Sequence, residues 1–268
     1  MNDNEAQTTG LEDEVIGAVL LDKYRTERVI GRGGMGVVLE ATHQQLEERV
    51  AIKLMSRELC ENEEAVARFQ REARVLFRIQ NENVCRVLDV GTHDERPFMV
   101  MEFLQGEDLA TTLARDGRVA VERALAIALQ CCHGLAEVHA RGIVHRDLKP
   151  ENLFLTRGVD GSDCEKLLDF GLSKLQRERA ANPAERSARK HTAKAQVMGT
   201  PHYMSPEQWM SSANVGHATD QWALGAMLFE MLTGRPPFNG KEVGQICSAV
   251  LSQPVPDISK LCPEAPPG

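Results

Sequence analysis

The chain has no pair of cysteines at metal-ligating or redox spacing. Its seven cysteines (Cys60, Cys85, Cys131, Cys132, Cys164, Cys247 and Cys262) include no C-x-x-C, and their number is odd. That argues against a zinc cage or a disulfide framework and for reduced thiols in a cytoplasmic setting. No run of 18 apolar residues occurs, so no segment of this chain is a membrane-spanning helix. The start, Met1 to Asp13, is polar and acidic; it lacks the basic n-region and the apolar h-region of a secretory leader. Positive charge is in deficit, 31 Lys and Arg against 39 Asp and Glu for a net charge of −8, which makes nucleic acid and anionic lipid unfavourable partners. There is no internal repeat. What remains is a chain of 268 residues, 42% hydrophobic and 26% charged, ordinary for a globular protein and long enough for two lobes around a cleft.

Residues 1–20 read as a flexible leader. Tyr24 to Ile30, Val37 to Ala41 and Arg49 to Met55 are β-prone runs, the last with Val50, Ile52 and Leu54 alternating. From Glu61 to Ile79 the period becomes helical, with Val66, Phe69, Ala73, Leu76 and Phe77 on one face. Val84 to Val90 and Pro97 to Glu102 read as two further strands. After Gly106 the pattern is helical. The spacing predicts a long helix over Val119 to Arg141, closed by Gly142, which tolerates positive φ. Leu153 to Leu155 and Lys166 to Leu168 read as a hairpin around a polar insert. Thr219 to Leu232 is an apolar helix stopped by Gly234 and Pro236-Pro237, and Glu242 to Leu251 is a shorter one.

Four groups of residues carry chemistry. Gly31-Arg32-Gly33-Gly34-Met35-Gly36 has glycines that let backbone N–H groups approach phosphate oxygens. A glycine loop of a dinucleotide fold opens a helix; here Val37 to Ala41 continue as a strand, so the loop is a hairpin lid. Lys53 follows 17 residues after Gly36, on a strand, where a lone lysine ordinarily faces solvent. Glu72, near Phe69 and Leu76 on the predicted helix, offers it an acid. Glu63 and Glu64 are rivals, but acids are expected near a helix start for dipole reasons. His145-Arg146-Asp147-Leu148-Lys149-Pro150-Glu151-Asn152 sets an acid and an amide five residues apart with a lysine between them, and Asp169-Phe170-Gly171 follows. Phosphoryl transfer asks for such parts: a carboxylate for the attacking hydroxyl, oxygen ligands for Mg²⁺, and a cation beside the moving phosphate.

Glycine loop, strand lysine, His-Arg-Asp with its asparagine, and Asp-Phe-Gly occur in the order of the protein kinase signature. Over residues 22–268 the chain resembles the eukaryotic-like (Hanks-type) Ser/Thr protein kinases of bacteria. The resemblance implies an α+β, two-lobed protein-kinase-like fold. Residues 22–104 would form a small β-rich N-lobe and 105–268 a larger helical C-lobe that stops short of its last helices, after a leader over 1–21. It implies transfer of the ATP γ-phosphoryl group to Ser or Thr of protein substrates in signal transduction, with Mg²⁺, or Mn²⁺ in its place.

The site residues follow from the same resemblance. Asp147 is the base and Lys149 neutralises the transferring group; Lys53 binds the α and β phosphates and Glu72 holds Lys53. Asn152 and Asp169 are the metal ligands. Ile30, Gly31, Gly33, Gly34 and Gly36 cover the nucleotide. Val38, Ala51 and Phe154 sandwich the adenine, Met101 is the gatekeeper, and Glu102 and Leu104 offer backbone groups to the adenine edge. Asp108 is a candidate for the ribose hydroxyls, a solvated loop acid being an equal alternative. Glu151 and Thr200 face the peptide substrate, and Lys149 with Thr200 favours Ser/Thr over Tyr as acceptor. Asp220, Trp222 and Gly225 match the helix that anchors the catalytic loop.

Residues 172–198 hold seven basic side chains against Glu178 and Glu185 in an otherwise acidic chain. A solvated loop is the plain reading. The sharper one is an activation loop whose phosphate pairs with Arg146, with Thr192 the preferred site and Ser187 second. Autophosphorylation in trans would bring two copies together.

Two departures stand out. Asn81 lies where relatives often have His. Glu207 normally pairs with an arginine downstream of residue 268, and a half-buried acid without its partner costs on the order of 3–5 kcal/mol. The expectation is therefore a fragment of a longer protein, ahead of a degenerate kinase. A pseudokinase or scaffold that binds ATP without efficient catalysis is the alternative, and a small-molecule kinase of related fold is a distant third.

Overall fold

The computed structural model describes residues 15–158, 161–170, 201–210 and 215–265. The chain forms two compact units, one of residues up to 80 with 85–104, the other of 81–84 with 105 onward. Each is α+β in content, the first mostly sheet and the second mostly helix.

The first unit holds strands β1 (Val19–Leu20), β2 (Tyr24–Gly33), β3 (Gly36–His43) and β4 (Glu48–Met55), helices α1 (Arg57–Cys60) and α2 (Glu63–Leu76), and strands β5 (Val87–His93) and β6 (Arg96–Glu102). The six strands make one sheet in the order β1-β2-β3-β4-β6-β5, with antiparallel neighbours. Its register explains the core. Residues directly opposite in an antiparallel pair point to the same face. Val37 faces Leu54, Leu39 faces Ile52, Ala41 faces Val50, and Ile52 faces Val100. These residues, with Leu20, Tyr24 and Phe98, form the core of this unit. Residues expected in the leader belong to it as well: Val15 and Leu20 are buried, and Thr26 Oγ1 donates to the carbonyl of Val15. Asn62 caps α2 by accepting from the N–H groups of Glu64 and Ala65. The buried stripe of α2 is Ala65, Phe69, Ala73 and Leu76. Phe77, expected on that stripe, is the C-cap of α2 and is 54% exposed.

The second unit holds β7 (Glu107–Asp108), α3 (Leu109–Asp116), α4 (Val121–His139), β8 (Leu153–Arg157), β9 (Asp163–Leu167), α5 (Pro206–Met210), α6 (Ala218–Thr233) and α7 (Val243–Ser252). The long helix α4 buries Ala124, Ile127, Cys131, Leu135 and Val138 at helical spacing, and α6 is buried around most of its circumference. Gly134 lets α4 approach the rest of the unit closely, since a Cβ there would lie 2.7 Å from both the Asn83 carbonyl and a Leu167 methyl. The small sheet β7-β8-β9 is antiparallel, and residues 81–84 are stitched to it by Leu167 N–H donating to the Asn83 carbonyl at 2.9 Å. Among the described residues no helix is long and apolar enough to cross a membrane.

Candidate active site

In the first unit the register sorts the expected nucleotide residues onto one face of the sheet. Val38 stands opposite Lys53, and Lys53 opposite Met99; Ala51 stands opposite Met101. These lie on the face away from Val37, Leu39, Ile52 and Val100, because side chains alternate along each strand. Lys53 is 6% exposed, so the ordinary fate of a strand lysine does not apply to it. Glu72 is half-buried on α2 beside the stripe formed by Phe69 and Leu76. Ile30 is exposed at the end of β2.

The glycine loop is the β2–β3 hairpin, with Gly33 paired to Gly36. Gly36 has φ +139°, and a Cβ there would sit 2.0 Å from the Leu54 carbonyl oxygen. Ser56 N–H donates to the Met35 carbonyl at 2.8 Å, which ties the turn back to the end of β4. At the other end of the unit, Glu102 exchanges bonds with Arg86: its N–H donates to the Arg86 carbonyl at 3.0 Å, and its Oε1 accepts the Arg86 N–H at 2.8 Å. The Leu104 N–H has no hydrogen bond among the described residues.

The second unit carries the His145–Asn152 segment and Asp169. Buried Asp220 on α6 organises it. Its Oδ2 accepts the His145 N–H and its Oδ1 the Arg146 N–H, each at 2.8 Å, and Oδ2 also meets His139 Nε2 at 2.7 Å. Arg146 has φ +64°, and its carbonyl accepts from Gln208 Nε2 at 2.8 Å. A non-glycine residue in that region costs free energy that the surroundings must supply. Here two side chains hold the peptide groups on either side. The Arg146 Nε is buried and has no partner among the described residues.

This frame sets the reactive groups. Asp147 Oδ2 lies 3.2 Å from Lys149 Nζ. Asn152 Nδ2 donates to the Asp147 carbonyl at 2.8 Å, leaving the Asn152 amide oxygen as its metal-binding atom. The Asn152 carbonyl accepts the Leu168 N–H at 2.9 Å, which brings the residue before Asp169 to the segment. His145 Nε2 meets the Leu168 carbonyl at 2.8 Å. A carbonyl only accepts, so that nitrogen carries a proton. Phe170 is buried with its ring 4.8 Å from that of His145. Asp169, with φ +54°, is exposed between two anchored neighbours. Asp147, Lys149, Asn152 and Asp169 therefore rest on one network of hydrogen bonds.

Other expected residues have more than one occupation. Asp108 Oδ1 caps α3 by accepting the Thr111 N–H at 2.7 Å. Phe154 stands opposite Asp108 in the small sheet. Glu151 acts electrostatically on Tyr203 and Glu230. The Tyr203 hydroxyl donates to Glu230, and burial first of all pushes the Glu230 carboxyl above the usual range. Nothing in the pattern of α6 singled Glu230 out, since an acid at one end of an apolar helix reads as a solvated terminus. Thr192, Ser187 and Thr200 lie outside the described residues. Glu207 is half-buried on α5.

The model of the protein kinase domain family matches residues 24–265. The chain belongs to the protein kinase domain family. It is 36% identical over 254 residues to the serine/threonine-protein kinase pkn3 of Myxococcus xanthus, covering 94% of this chain and 45% of that protein. It is 36% identical over 255 residues to the serine/threonine-protein kinase PknH of Mycobacterium bovis, covering 95% and 40%. This kinase domain thus spans less than half the length of these curated relatives. Among solved structures it resembles the PknI kinase domain of Mycobacterium tuberculosis, with a TM-score of 0.67 and 25% identity over 92% of this chain and 85% of that one.

Proposed function

We propose that this kinase domain transfers the γ-phosphoryl group of ATP to serine or threonine hydroxyls of protein substrates. The observation that carries the reading is the placement of Asp147, Lys149, Asn152 and Asp169 on one hydrogen-bonded frame centred on Asp220. Asp147 accepts from and orients the attacking hydroxyl. Positioning dominates such transfers because the transition state is loose. Lys149, held 3.2 Å from Asp147, follows the charge of the phosphoryl group as it moves. Lys53, on the sheet face shared with Val38 and Ala51, takes the α and β phosphates, and Glu72 orients it. The open Leu104 N–H fits the adenine edge.

The Asn152 amide oxygen and the exposed Asp169 carboxylate are hard oxygen donors. They fit Mg²⁺, which takes one or two protein oxygens and completes its shell with phosphate and water. When bound, the metal neutralises phosphate charge. Glu151 with Glu230 favours a basic residue near the acceptor hydroxyl. The buried Arg146 Nε, unpartnered among the described residues, is suited to a phosphate on Thr192 or Ser187. Seven free cysteines accord with a reducing cytoplasm. Radiolabelled phosphate from Mg²⁺-ATP should enter Ser or Thr of a protein acceptor and fail to do so with Asp169→Ala. Equal incorporation by that variant refutes the reading. Mass spectrometry of the active, autophosphorylated chain tests Thr192 and Ser187, and phosphate on neither refutes that assignment.

A further inference from the structure

His217 stands at the N-cap of α6, a place that favours Ser, Thr, Asp or Asn. Its side chain makes no capping hydrogen bond, so capping does not explain the residue. Its imidazole has another contact. The ring stacks on that of His139, with centroids 4.2 Å apart and an interplanar angle of 6°. His139 is the last residue of α4, and its Nε2 lies 2.7 Å from Asp220 Oδ2. Exposure falls along this series: His217 is exposed, the His139 side chain is 14% exposed and that of Asp220 1%.

The bond to Asp220 holds one edge of the His139 ring and leaves its rotation loosely set. The torsion that turns an imidazole about its Cβ–Cγ bond is broad and has no sharp preference of its own. A second ring lying flat on the first narrows it, because tilting either one gives up the contact. The backbone of His217 works in the same direction, since its carbonyl accepts the Asp220 N–H at 3.1 Å and begins the turn that carries the acid. Asp220 in turn accepts the N–H groups of His145 and Arg146, each at 2.8 Å. A continuous series of printed contacts therefore joins an exposed ring to the left-handed peptide beside Asp147.

We propose that His217 is a positioning residue for phosphoryl transfer, which by stacking on His139 steadies the His139–Asp220 bond and through it the peptide that sets Asp147. The proposal rests on the phosphoryl-transfer reading above. His217 acts on the reaction only through the placement of Asp147 and has no part in holding ATP. Without the stacked ring, His139 turns more freely and Asp220 Oδ2 keeps only the His145 N–H as a steady partner. The carboxylate then fixes Arg146 less firmly, and Asp147 spends less time aligned with the attacking hydroxyl.

Steady-state kinetics and amide hydrogen exchange of the whole chain test this on His217→Ala and His217→Phe. The alanine variant should lose about three- to tenfold in kcat, the factor that an aromatic contact supplies, with the KM for ATP within about twofold of the parent. The phenylalanine variant keeps a ring in place and should return kcat to within about twofold of the parent. In a His139→Ala background, His217→Ala should cost nothing further, because the partner is already gone. Exchange at the His145 and Arg146 N–H groups should quicken in His217→Ala, and exchange in β3 and β4 should not. An unaltered kcat in His217→Ala, a phenylalanine variant no better than the alanine one, or the full loss repeated without His139 each overturns the proposal. Should His139→Ala fail to fold, the comparison of alanine with phenylalanine decides. Should the parent chain transfer no phosphate, the reading above falls and exchange decides this one, unchanged rates at His145 and Arg146 overturning it.

Discussion

Asp220 Oδ1 accepts the backbone N–H of Arg146 at 2.8 Å and so fixes, from helix α6, the residue beside Asp147 in a left-handed conformation. The same carboxylate holds the His145 N–H and meets the His139 ring. Asp220→Ala would leave two buried donors without an acceptor and release a strained peptide. A loss of about 3 kcal/mol or more is expected, since each orphaned buried group costs about 1–3 kcal/mol. Urea unfolding measures it, and a loss below about 1 kcal/mol would show that the strain and the bonds are held elsewhere.

Gly36 is confined by two independent features, a φ of +139° and the Leu54 carbonyl oxygen where a Cβ would be. Gly36→Ala should cost on the order of 1–3 kcal/mol, while Gly33→Ala, at a position with nothing within 4 Å of its Cβ, should cost much less. The ranking of the two variants in thermal unfolding is the test, and equal losses would contradict it.

Glu165 gives stability an unusual dependence on pH. Burial raises its folded-state pKa well above 4.5, so between that value and the raised one the folded chain binds more protons than the unfolded chain. Stability from this group is full below the unfolded-state pKa and falls as pH rises, by at most about 1.4 kcal/mol per unit. Glu165→Leu removes the buried acid and this slope together. The advantage of the leucine variant over the parent in unfolding free energy should grow with pH across the window. A constant difference would mean that Glu165 is already ionised in the folded chain.

Much of this was legible in the sequence because local pattern and final environment agree. Alternation in Arg49 to Met55 placed Val50, Ile52 and Leu54 in the core, and the helical period over 61–79 placed Phe69, Ala73 and Leu76. The His145–Asn152 segment declared its chemistry by residue type. Val15 and Leu20 escaped notice because the apolar run from Val15 to Leu21 is short, broken by Gly17 and without a clear period, and their burial comes from the sheet edge they meet. Glu165 escaped because its residue type argues for solvent, although its spacing from Leu167 puts both on one face of β9. Asp108 shows the reverse problem: one acid serves as a helix cap, a task that composition alone does not separate from ligand binding.

Phosphoryl transfer by Asp147→Asn tests the central claim most directly. The substitution keeps the size of the side chain and its place beside Lys149 but removes the carboxylate that orients the hydroxyl. ATP affinity should stay within about threefold of the parent, and turnover on a Ser/Thr protein acceptor should fall by about 10²–10⁴. Turnover equal to that of the unaltered chain would contradict the role assigned to Asp147.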